Sequence, residues 1–483
     1  MMDKVYIEKV NESYIRPVCS DAFRRELSDH FTFVVPNHQY TPSFKFGAWD
    51  GKIRLLNSNG TIYAGLIGNL VDYCTRHSVE CTIDPKLNQN EFSLVEAQQF
   101  VDSLDLKYAP REHQLQAFVT AVRNNRALLI SPTASGKSLI IMLLCKYYQG
   151  RKLIVVPTIN LVNQLSDDMS NYDLTSEISS KIFKIKAGVP KDNIQSEIVV
   201  STWQSICKLP KSWFDQFDVV IGDEAHRFAA KSLVRIMTNL PDCKYRFGLT
   251  GTLDDSHINE LVLTGLFGPK KVITTTKEMI DKGYNAALKI KAILLAYPPG
   301  ERKSVCKASY NDEKAWLFAN PKRNNFIVNL ALSLKGNTLV LFNRNEGHGL
   351  PLFETIKAKS ERPCYLVYGK IDGDDREDIR KIVNSHTSSI TVASAGTFST
   401  GVDIPNLNNV ILAFPTKARV TILQSIGRSL RISDIKTCCT VYDIADDLSS
   451  KKWQNTTLKH YVQRVKIYIS EEFEFKQYNV EIK

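Results

Sequence analysis

The chain has 483 residues, of which 43% are hydrophobic and 23% charged, and its net charge is +11. This length suffices for about two to four domains with buried cores, and the composition excludes a disordered or fibrous chain. The longest apolar run, residues 139–145, is far shorter than the roughly 20 residues that span a bilayer, so a membrane protein is excluded and a cytoplasmic one expected.

The basic surplus is unevenly distributed along the chain. Residues 1–105 carry a net charge of −4, whereas residues 106–483 carry +15. A diffuse positive charge suits a polyanionic partner such as nucleic acid, although many basic proteins bind none. The charge therefore indicates a class of partner without deciding it.

Residues 1–105 combine short strands and turns with a helical stretch near 93–104, which predicts a small α+β domain. Within it, Asp50-Gly51 is a strong signal for a two-residue β-hairpin. Alternation along that hairpin predicts one core face, made of Phe44, Phe46, Ala48, Ile53 and Leu55. The other face would join an aromatic ring to three cations and could stack a base and neutralise phosphates; its residues are Lys45, Trp49, Lys52 and Arg54. An ordinary solvated face is the alternative.

Residues 131–138, SPTASGKS, follow a predicted strand and precede an apolar helical run, as a Walker A phosphate loop does. In such a loop backbone N–H groups hold the phosphates, Lys137 reaches the β and γ phosphates, and the Ser138 hydroxyl ligates Mg²⁺. Ser131 replaces the first glycine of the motif, which loosens the match. The loop predicts an ATP site with Mg²⁺ as cofactor, bound by Thr133, Ala134, Ser135, Gly136, Lys137 and Ser138.

Two carboxylates directly follow the predicted strand at 218–222. In a P-loop sheet, acids at this position lie beside the phosphate loop, where Asp223 can hold Mg²⁺ through water and Glu224 can polarise the attacking water. Acids at a strand end can instead form a solvated helix cap. The Walker A loop upstream favours the catalytic interpretation.

Short apolar strands alternate with amphipathic helical stretches from residue 127 onward. Predicted strands lie at 127–130, 152–157, 197–201, 218–222 and 246–250, and the rhythm restarts after Gly283 at 289–297, 338–342, 363–369, 389–395 and 409–414. This pattern predicts an α/β chain with two tandem doubly wound domains. The last stretch predicts a helical tail whose cations, Lys459, Arg464 and Lys466, lie opposite its apolar side chains.

The sequence Asp223-Glu224-Ala225-His226 after a Walker A loop resembles the DEAH-type signature of superfamily 2 helicases. Other segments are similar to the remaining motifs of that family, in family order, over residues 108–447. They are 157–164 (motif Ia), 201–204 (Ib), 249–252 (III), 342–344 (IV), 397–403 (V) and 424–431 (VI).

This resemblance implies two RecA-like domains, the first with the phosphate loop and the second with the arginine fingers Arg428 and Arg431, so that closure of the domains completes the ATP site. For Arg431 a surface ion pair is the alternative. The resemblance also implies further nucleotide-site residues, namely Gln424, Gly401, Asp403, and the adenine-reading pair Arg111 and Gln114. For Gln114 an ordinary polar surface residue is the alternative. The nucleic-acid contacts that it implies in the two domains are Thr158, Thr202, Trp203, Arg344 and Thr397.

The segment FKFGAWDGKIRLL ahead of a compact helicase core resembles the bacteriophage UvsW-type helicases over almost the whole chain. This implies an ATP-dependent 3′-to-5′ DNA helicase that acts on Holliday junctions, D-loops, R-loops and stalled forks in recombination, repair and replication, and that also anneals strands. It further implies a monomer in the cytoplasm of an infected bacterium, with DNA as partner and RNA only within R-loops. The alternatives are an RNA helicase, a duplex translocase that never separates strands, and a binding or annealing protein switched by ATP.

The expected domains are a nucleic-acid-binding α+β domain at 1–105, RecA-like domains at 106–285 and 286–450, and a basic helical tail at 451–483.

Overall fold

The structure is a computed structural model that describes residues 4–87, 89–186, 188–192, 194–253, 256–343, 345–369, 379, 382–399, 406–430 and 436–482. Its contacts divide the chain into two units, Met1–Ser131 with Gly136–Ile273, and Pro132–Ser135 with Thr274–Lys483. The domain boundaries predicted at 105, 285 and 450 remain predictions. Among the described residues no helix is long and apolar enough to cross a membrane.

The first unit begins with a small α+β domain. Its strands are β1 (Lys4–Lys9), β2 (Tyr14–Val18), β3 (Thr32–Val34), β4 (Lys52–Arg54), β5 (Ile62–Tyr63) and β6 (Glu80–Ile83). Four of them form a mixed sheet in the order β5-β2-β1-β6. Its main helices are Asp21–His30 and Ile67–Arg76, and Leu94–Asp102 follows the domain as the predicted helical stretch. The alternation of β1 places Val5 and Ile7 in the core while Lys4 and Tyr6 face solvent.

The predicted hairpin around Asp50-Gly51 is wrong. Strand β4 pairs with β3, and the segment expected to be its partner contains a short helix, Pro42–Lys45. Pro42 fixes the first helical position and lacks the N–H that a paired strand would need. Asp50 does form a turn, since Oδ1 accepts a hydrogen bond from the Lys52 N–H at 3.1 Å. The turn signal was therefore correct, but it joins a loop to β4, and Phe46 is 86% exposed instead of buried.

The helicase-like part of the first unit is a seven-stranded parallel sheet in the order β13-β7-β12-β11-β8-β10-β9. Its strands are β7 (Arg126–Ile130), β8 (Lys152–Val156), β9 (Ile182–Ile185), β10 (Ile198–Thr202), β11 (Val219–Asp223), β12 (Tyr245–Thr250) and β13 (Lys270–Val272). Its helices are Glu112–Asn124, Lys137–Tyr147, Ile159–Tyr172, Glu177–Lys181, Trp203–Ile206, Lys211–Phe214, Lys231–Thr238 and His257–Phe267. The five strands predicted in this half are confirmed. They could be recognised because parallel strands covered on both faces have uninterrupted apolar sequences.

The small domain is joined to this sheet by two arginines, of which Arg246 is buried and Arg126 half-buried. Arg246 on β12 donates a hydrogen bond to Ser13 Oγ at 2.9 Å, and Arg126 on β7 donates to Glu12 O at 3.0 Å and lies 3.3 Å from its carboxylate. The Glu12 N–H donates in turn to Pro241 O at 2.8 Å. Burial lowers the pKa of Arg126 to about 10, which leaves it charged at neutral pH. The small domain is thus part of the same unit as strands β7 and β12.

The second unit is another seven-stranded parallel sheet, in the order β16-β17-β15-β18-β19-β14-β20. Its strands are β14 (Ala287–Ala296), β15 (Thr338–Phe342), β16 (Cys364–Val367), β17 (Ile390–Ser394), β18 (Asn409–Leu412), β19 (Cys438–Asp447) and β20 (Phe475–Glu481). Its helices are Thr276–Asp281, Pro299–Ser304, Tyr310–Ala319, Pro321–Ser333, Leu350–Lys359, Ala395–Ser399, Arg419–Arg428 and Thr456–Ser470. The predicted strands of this half are confirmed as well.

The tail contains the predicted helix, Thr456–Ser470, and in addition β20, which pairs with β14 over seven residues. The predicted cationic face is wrong for Arg464, which is 1% exposed and forms an ion pair with Asp443. Ile469, one of the apolar side chains of this helix, is 61% exposed. Helical spacing alone could not show that Arg464 would contact the buried Asp443 carboxylate on β19.

Candidate active site

The Walker A loop leaves β7 at Ile130 and ends at the helix Lys137–Tyr147. The Ser131 N–H donates to Thr250 O at 2.8 Å, which ties the start of the loop to β12. Ala134 and Gly136 both adopt left-handed backbone angles, with φ of 67° and 80°. A Cβ atom built on Gly136 would lie 2.2 Å from Gln114 Nε2, so a larger residue would displace the Gln114 side chain. The glycine is required both by its backbone conformation and by this close approach.

The two functional side chains that follow the loop already have hydrogen-bond partners. Lys137 Nζ donates to Ser131 O at 3.2 Å and so lies folded over the loop. The Ser138 hydroxyl donates to Asp168 Oδ2 at 2.9 Å. Asp168 lies on the helix Ile159–Tyr172 and was not predicted as a site residue, because nothing in its spacing marks it. It places a carboxylate beside the proposed magnesium ligand Ser138.

The carboxylates of the DEAH segment lie at the carboxyl end of β11. Strand β11 is separated from β7, which leads into the Walker A loop, by β12 alone. Glu224 has a left-handed backbone with φ of 52°, which is unusual for glutamate and marks a position constrained by its surroundings. Its N–H donates to Asp223 Oδ1 at 2.9 Å. The tight turn directs two consecutive acids from the carboxyl edge of the sheet.

A histidine connects this segment with motif III. His226 Nδ1 lies 2.9 Å from Thr250 Oγ1 and 3.4 Å from Glu224 Oε2, and the Thr250 hydroxyl donates to Thr252 O at 2.9 Å. Neither His226 nor Thr250 was predicted as a site residue, although both stand within motifs that the sequence shows. The geometry couples the end of β12 to the proposed catalytic glutamate.

The predicted adenine-reading residues lie at the start of the helix Glu112–Asn124. Gln114 is buried, its Oε1 accepts a hydrogen bond from the Arg111 N–H at 2.8 Å, and its Nε2 donates to Gly136 O at 3.3 Å. It is therefore not a surface polar residue. It connects the start of this helix to the Walker A loop.

Motif VI forms the helix Arg419–Arg428 in the second unit. Gln424 and Arg428 lie one turn apart on the same buried face of that helix. Thr397 of motif V is also buried and its Oγ1 accepts a hydrogen bond from Ser394 Oγ at 2.7 Å. Four other predicted site residues lie outside the described residues, namely Arg344, Gly401, Asp403 and Arg431.

The predicted nucleic-acid contacts of the first unit are found at two places. Thr158 and Thr202 lie at the carboxyl ends of the paired strands β8 and β10, and Trp203 follows Thr202. In the small domain, Trp49 is half-buried and donates to Lys52 O at 2.8 Å, while Lys45 and Lys52 are exposed. Arg54 forms an ion pair with Asp50, and this hydrogen bond lowers the pKa of Asp50 to about 2.

Comparison with known proteins identifies a family for each of three segments of the chain. Residues 5–84 match the family model for the N-terminal domain of DNA helicase UvsW, residues 107–255 that of the type III restriction enzyme res subunit, and residues 322–433 that of the helicase conserved C-terminal domain. The ATP-dependent DNA helicase uvsW of Enterobacteria phage T4 is 34% identical over 489 residues, covering 96% of this chain and 97% of that protein. The chain belongs to the UvsW family of superfamily 2 helicases.

The structural similarity to a solved UvsW helicase covers nearly the whole of this chain. The crystal structure of T4 UvsW has a TM-score of 0.53 at 31% identity and covers 99% of this chain and 100% of that one. The DNA 3′-5′ translocase XPB2 of Sulfurisphaera tokodaii is 24% identical and covers 67% of this chain and 79% of that protein. A type ISP restriction-modification enzyme, LlaBIII, shares the fold at 15% identity with a TM-score of 0.56, over 86% of this chain and 36% of that one. The protein is an ATP-hydrolysing DNA helicase.

The residues present fit a magnesium nucleotide. Ser138 and Asp223 offer hydroxyl and carboxylate oxygens, the hard ligands that Mg²⁺ prefers. The Walker A loop also has the left-handed backbone at Gly136 and the helix N-terminus at Lys137 that suit phosphate binding. These residues could hold the ion and the phosphates together.

Proposed function

We propose that this UvsW-type helicase uses ATP hydrolysis to remodel branched DNA with 3′-to-5′ polarity. The substrates proposed are Holliday junctions, D-loops, R-loops and stalled forks in recombination, repair and replication, and complementary strands are also annealed. The observation that carries the proposal is the small domain, which matches the UvsW N-terminal family and is held to the phosphate-loop sheet by Arg126 and Arg246. We further propose that it works as a monomer in the cytoplasm of an infected bacterium.

In the proposed chemistry, Lys137 binds the β and γ phosphates and Glu224 orients and polarises the attacking water. Arg428 stabilises the negative charge of the transition state, and Arg431 does the same. The nucleotide is further held by the Walker A residues and by Arg111, Gln114, Gln424, Gly401 and Asp403. Ser138 and Asp223 would hold Mg²⁺, which would supply charge neutralisation at the phosphates.

For the strand contacts, we propose that Thr158, Thr202, Trp203, Arg344 and Thr397 bind the nucleic-acid backbone. The small domain would contribute a surface built on the loop between β3 and β4. The cations Lys45, Lys52 and Arg54 and the half-buried Trp49 belong to this proposed surface. Phe46 and Tyr40 on the same loop are 86% and 71% exposed, and we add them to it. Exposed aromatic rings beside cations suit unpaired bases and their phosphates.

Replacing Phe46 and Lys52 together by alanine should weaken binding to forked DNA by about tenfold to a hundredfold, because one stacked base contributes about 1–3 kcal/mol. ATP turnover at saturating DNA should be retained, since neither residue belongs to the proposed ATP site. Fluorescence anisotropy with a labelled fork measures the first effect and phosphate release the second. The control is Val95→Ala, which removes another exposed apolar side chain of this unit. Equal affinity of the double variant and the control would remove this surface from the site.

A side-by-side substrate panel tests the proposed function. Labelled Holliday junction, fork, linear DNA duplex and RNA duplex are incubated with the wild-type helicase and ATP, with Lys137→Ala as the inactive control. We expect strand displacement on the branched DNA and none on the RNA duplex. Unwinding of the RNA duplex alone would overturn the proposal in favour of an RNA helicase. Annealing that is unaffected by Lys137→Ala, with negligible DNA-stimulated phosphate release, would indicate an ATP-switched annealing protein.

A duplex translocase is the second candidate, and two similarities favour it. Residues 107–255 match the res subunit of type III restriction enzymes, and XPB2 is named a DNA 3′-5′ translocase. Such a motor would hydrolyse ATP on linear duplex and displace a triplex-forming strand from it, but would not separate the arms of a fork. The same panel, extended by a triplex substrate, separates the two functions.

A further inference from the structure

The segment that leads into the motif VI helix is held by side chains at three of its carbonyl groups. Arg323 Nη2 donates to Ala413 O at 3.0 Å, the Tyr310 hydroxyl donates to Pro415 O at 3.3 Å, and Arg464 Nη1 donates to Thr416 O at 2.9 Å. Connecting segments usually leave such carbonyl groups to water. Here the path of the chain between β18 and the helix Arg419–Arg428 is defined by three donors from other helices.

The two arginines are anchored to one strand. Arg323 is fully buried and its Nε donates to Asp446 Oδ1 at 2.9 Å, while Arg464 Nε donates to Asp443 Oδ2 at 2.9 Å. Both aspartates lie on β19, in the interior of the sheet. Each guanidinium therefore spans from a carboxylate on a rigid strand to a carbonyl of the segment. Only the planar fork of arginine can make both contacts at once.

The tail helix Thr456–Ser470 supplies one of these arginines and also holds the first residue of the motif VI helix. Arg419 forms an ion pair with Glu471, and its Nη1 donates to Ser470 Oγ at 3.1 Å. The tail helix is itself fixed, because the buried Glu313 carboxylate accepts hydrogen bonds from the Thr456 and Thr457 N–H groups at 2.9 and 2.8 Å. The start of the motif VI helix is thus attached to the tail by two separate contacts.

The other end of the motif VI helix is held independently of the tail. The buried Lys436 Nζ donates to Ser429 O, and the Ala286 N–H donates to Leu430 O at 2.8 Å. With both ends fixed, the helix has little freedom to rotate or slide. Arg428, whose side chain must reach a phosphate with an accuracy of a fraction of an ångström, lies near this second end.

We propose that the C-terminal helix is a positioning element for motif VI, and that Arg464 and Arg419 are its positioning residues. The inference rests on the proposed role of Arg428 as an arginine finger. A role in stability alone is a poor explanation for Arg464, since a fully buried arginine–aspartate pair costs nearly as much desolvation free energy as its attraction returns. Because Arg464 also donates a hydrogen bond to Thr416 O, the pair fixes the orientation of the segment that leads into the motif VI helix.

The experiment compares Arg464→Lys and Arg419→Gln with the matched control Lys466→Gln, whose side chain is exposed on the same helix. Lysine can keep the charge beside Asp443 but cannot also reach Thr416 O. We expect Arg464→Lys to lower kcat for DNA-stimulated ATP hydrolysis by about tenfold to a hundredfold, with KM for ATP changed less than about twofold, because a transition-state contact is displaced. Arg419→Gln should also lower kcat with little change in KM for ATP, but by a smaller factor. The control Lys466→Gln should match the wild type in both constants.

A double-mutant cycle with Arg428→Ala separates positioning from general damage. In the Arg428→Ala background, Arg464→Lys should cause no further loss of kcat, since the residue that it positions is gone. A kcat of Arg464→Lys equal to wild type, or an equal loss in both backgrounds, would overturn the inference. Should Arg464→Lys fail to fold by thermal melting, Arg419→Gln carries the same test from a partly exposed pair. If Arg428→Ala itself keeps full turnover, it is the proposed finger role that fails.

Discussion

Replacing Glu224 by glutamine should lower DNA-stimulated ATP turnover by about a hundredfold to ten-thousandfold while ATP binding is preserved, because general-base assistance contributes about that much to rate. Glutamine keeps the size of the side chain and the left-handed turn but cannot polarise water as a carboxylate does. Phosphate release at saturating DNA measures the loss. Equilibrium binding of a fluorescent ATP analogue measures the retained affinity.

Two comparisons make this result specific. Lys137→Ala should lose both turnover and nucleotide affinity, since it removes the charge that faces the phosphates. Glu260→Gln, which alters a partly exposed ion pair with Lys270 in the same unit, should behave as wild type. Wild-type turnover in Lys137→Ala, or in Glu224→Gln, would show that the ATP site has been assigned to the wrong residues.

Replacing Gly65 by alanine should destabilise the first unit by about 2 kcal/mol or more, at the upper end of what overpacking usually costs. A Cβ on Gly65 would lie 2.0 Å from Thr264 O, 2.7 Å from Gly265 O and 2.9 Å from Gly268 N. All three are backbone atoms at the end of the helix His257–Phe267, so no side-chain rotation can relieve the contact. We expect a fall in the melting temperature of about 5 °C or more, measured by calorimetry.

A nearby glycine provides the matched control for this variant. Gly68 lies three residues on, in the exposed first turn of the helix Ile67–Arg76, and a Cβ there meets nothing within 4 Å. Gly68→Ala should therefore stabilise the protein by about 0.5–1 kcal/mol, because alanine favours the helix. Equal melting temperatures for Gly65→Ala and Gly68→Ala would show that the small domain is not packed as closely as described.

This close packing bears on how the small domain can act. It is attached through Glu12 and Ser13 to β7 and β12, and β12 ends at Thr250, the partner of His226. DNA bound at Phe46 would therefore contact the same unit that carries Glu224. Communication between the two need not cross a flexible linker.

The parts of the fold that could be predicted from the sequence are those coded by neighbouring residues. Uninterrupted apolar runs such as 152–156 and 338–342 identify buried parallel strands, since no solvent-facing position interrupts them. The Walker A loop and the DEAH segment are also continuous, and Ala134, Gly136 and Glu224 adopt the special backbone angles that such loops need. The family itself followed from the order of these segments.

The features that could not be predicted depend on a partner distant in sequence. The turn at Asp50-Gly51 was recognised, but β4 pairs with β3, about 20 residues earlier, and not with its neighbour. Asp168 lies beside Ser138 only because two helices pack together.

The sequence alone therefore determined the two α/β halves, the ATP chemistry and the family, because each rests on patterns within short segments. Tertiary structure decided which side chains are exposed on the surface and which are buried in the interior. Arg464 looked like part of a basic tail and is buried on Asp443, whereas Phe46 looked like core and is exposed. The physical reason is that burial of a charge is decided by whether a counter-charge and a carbonyl lie within reach, and the chain brings those together only when it folds.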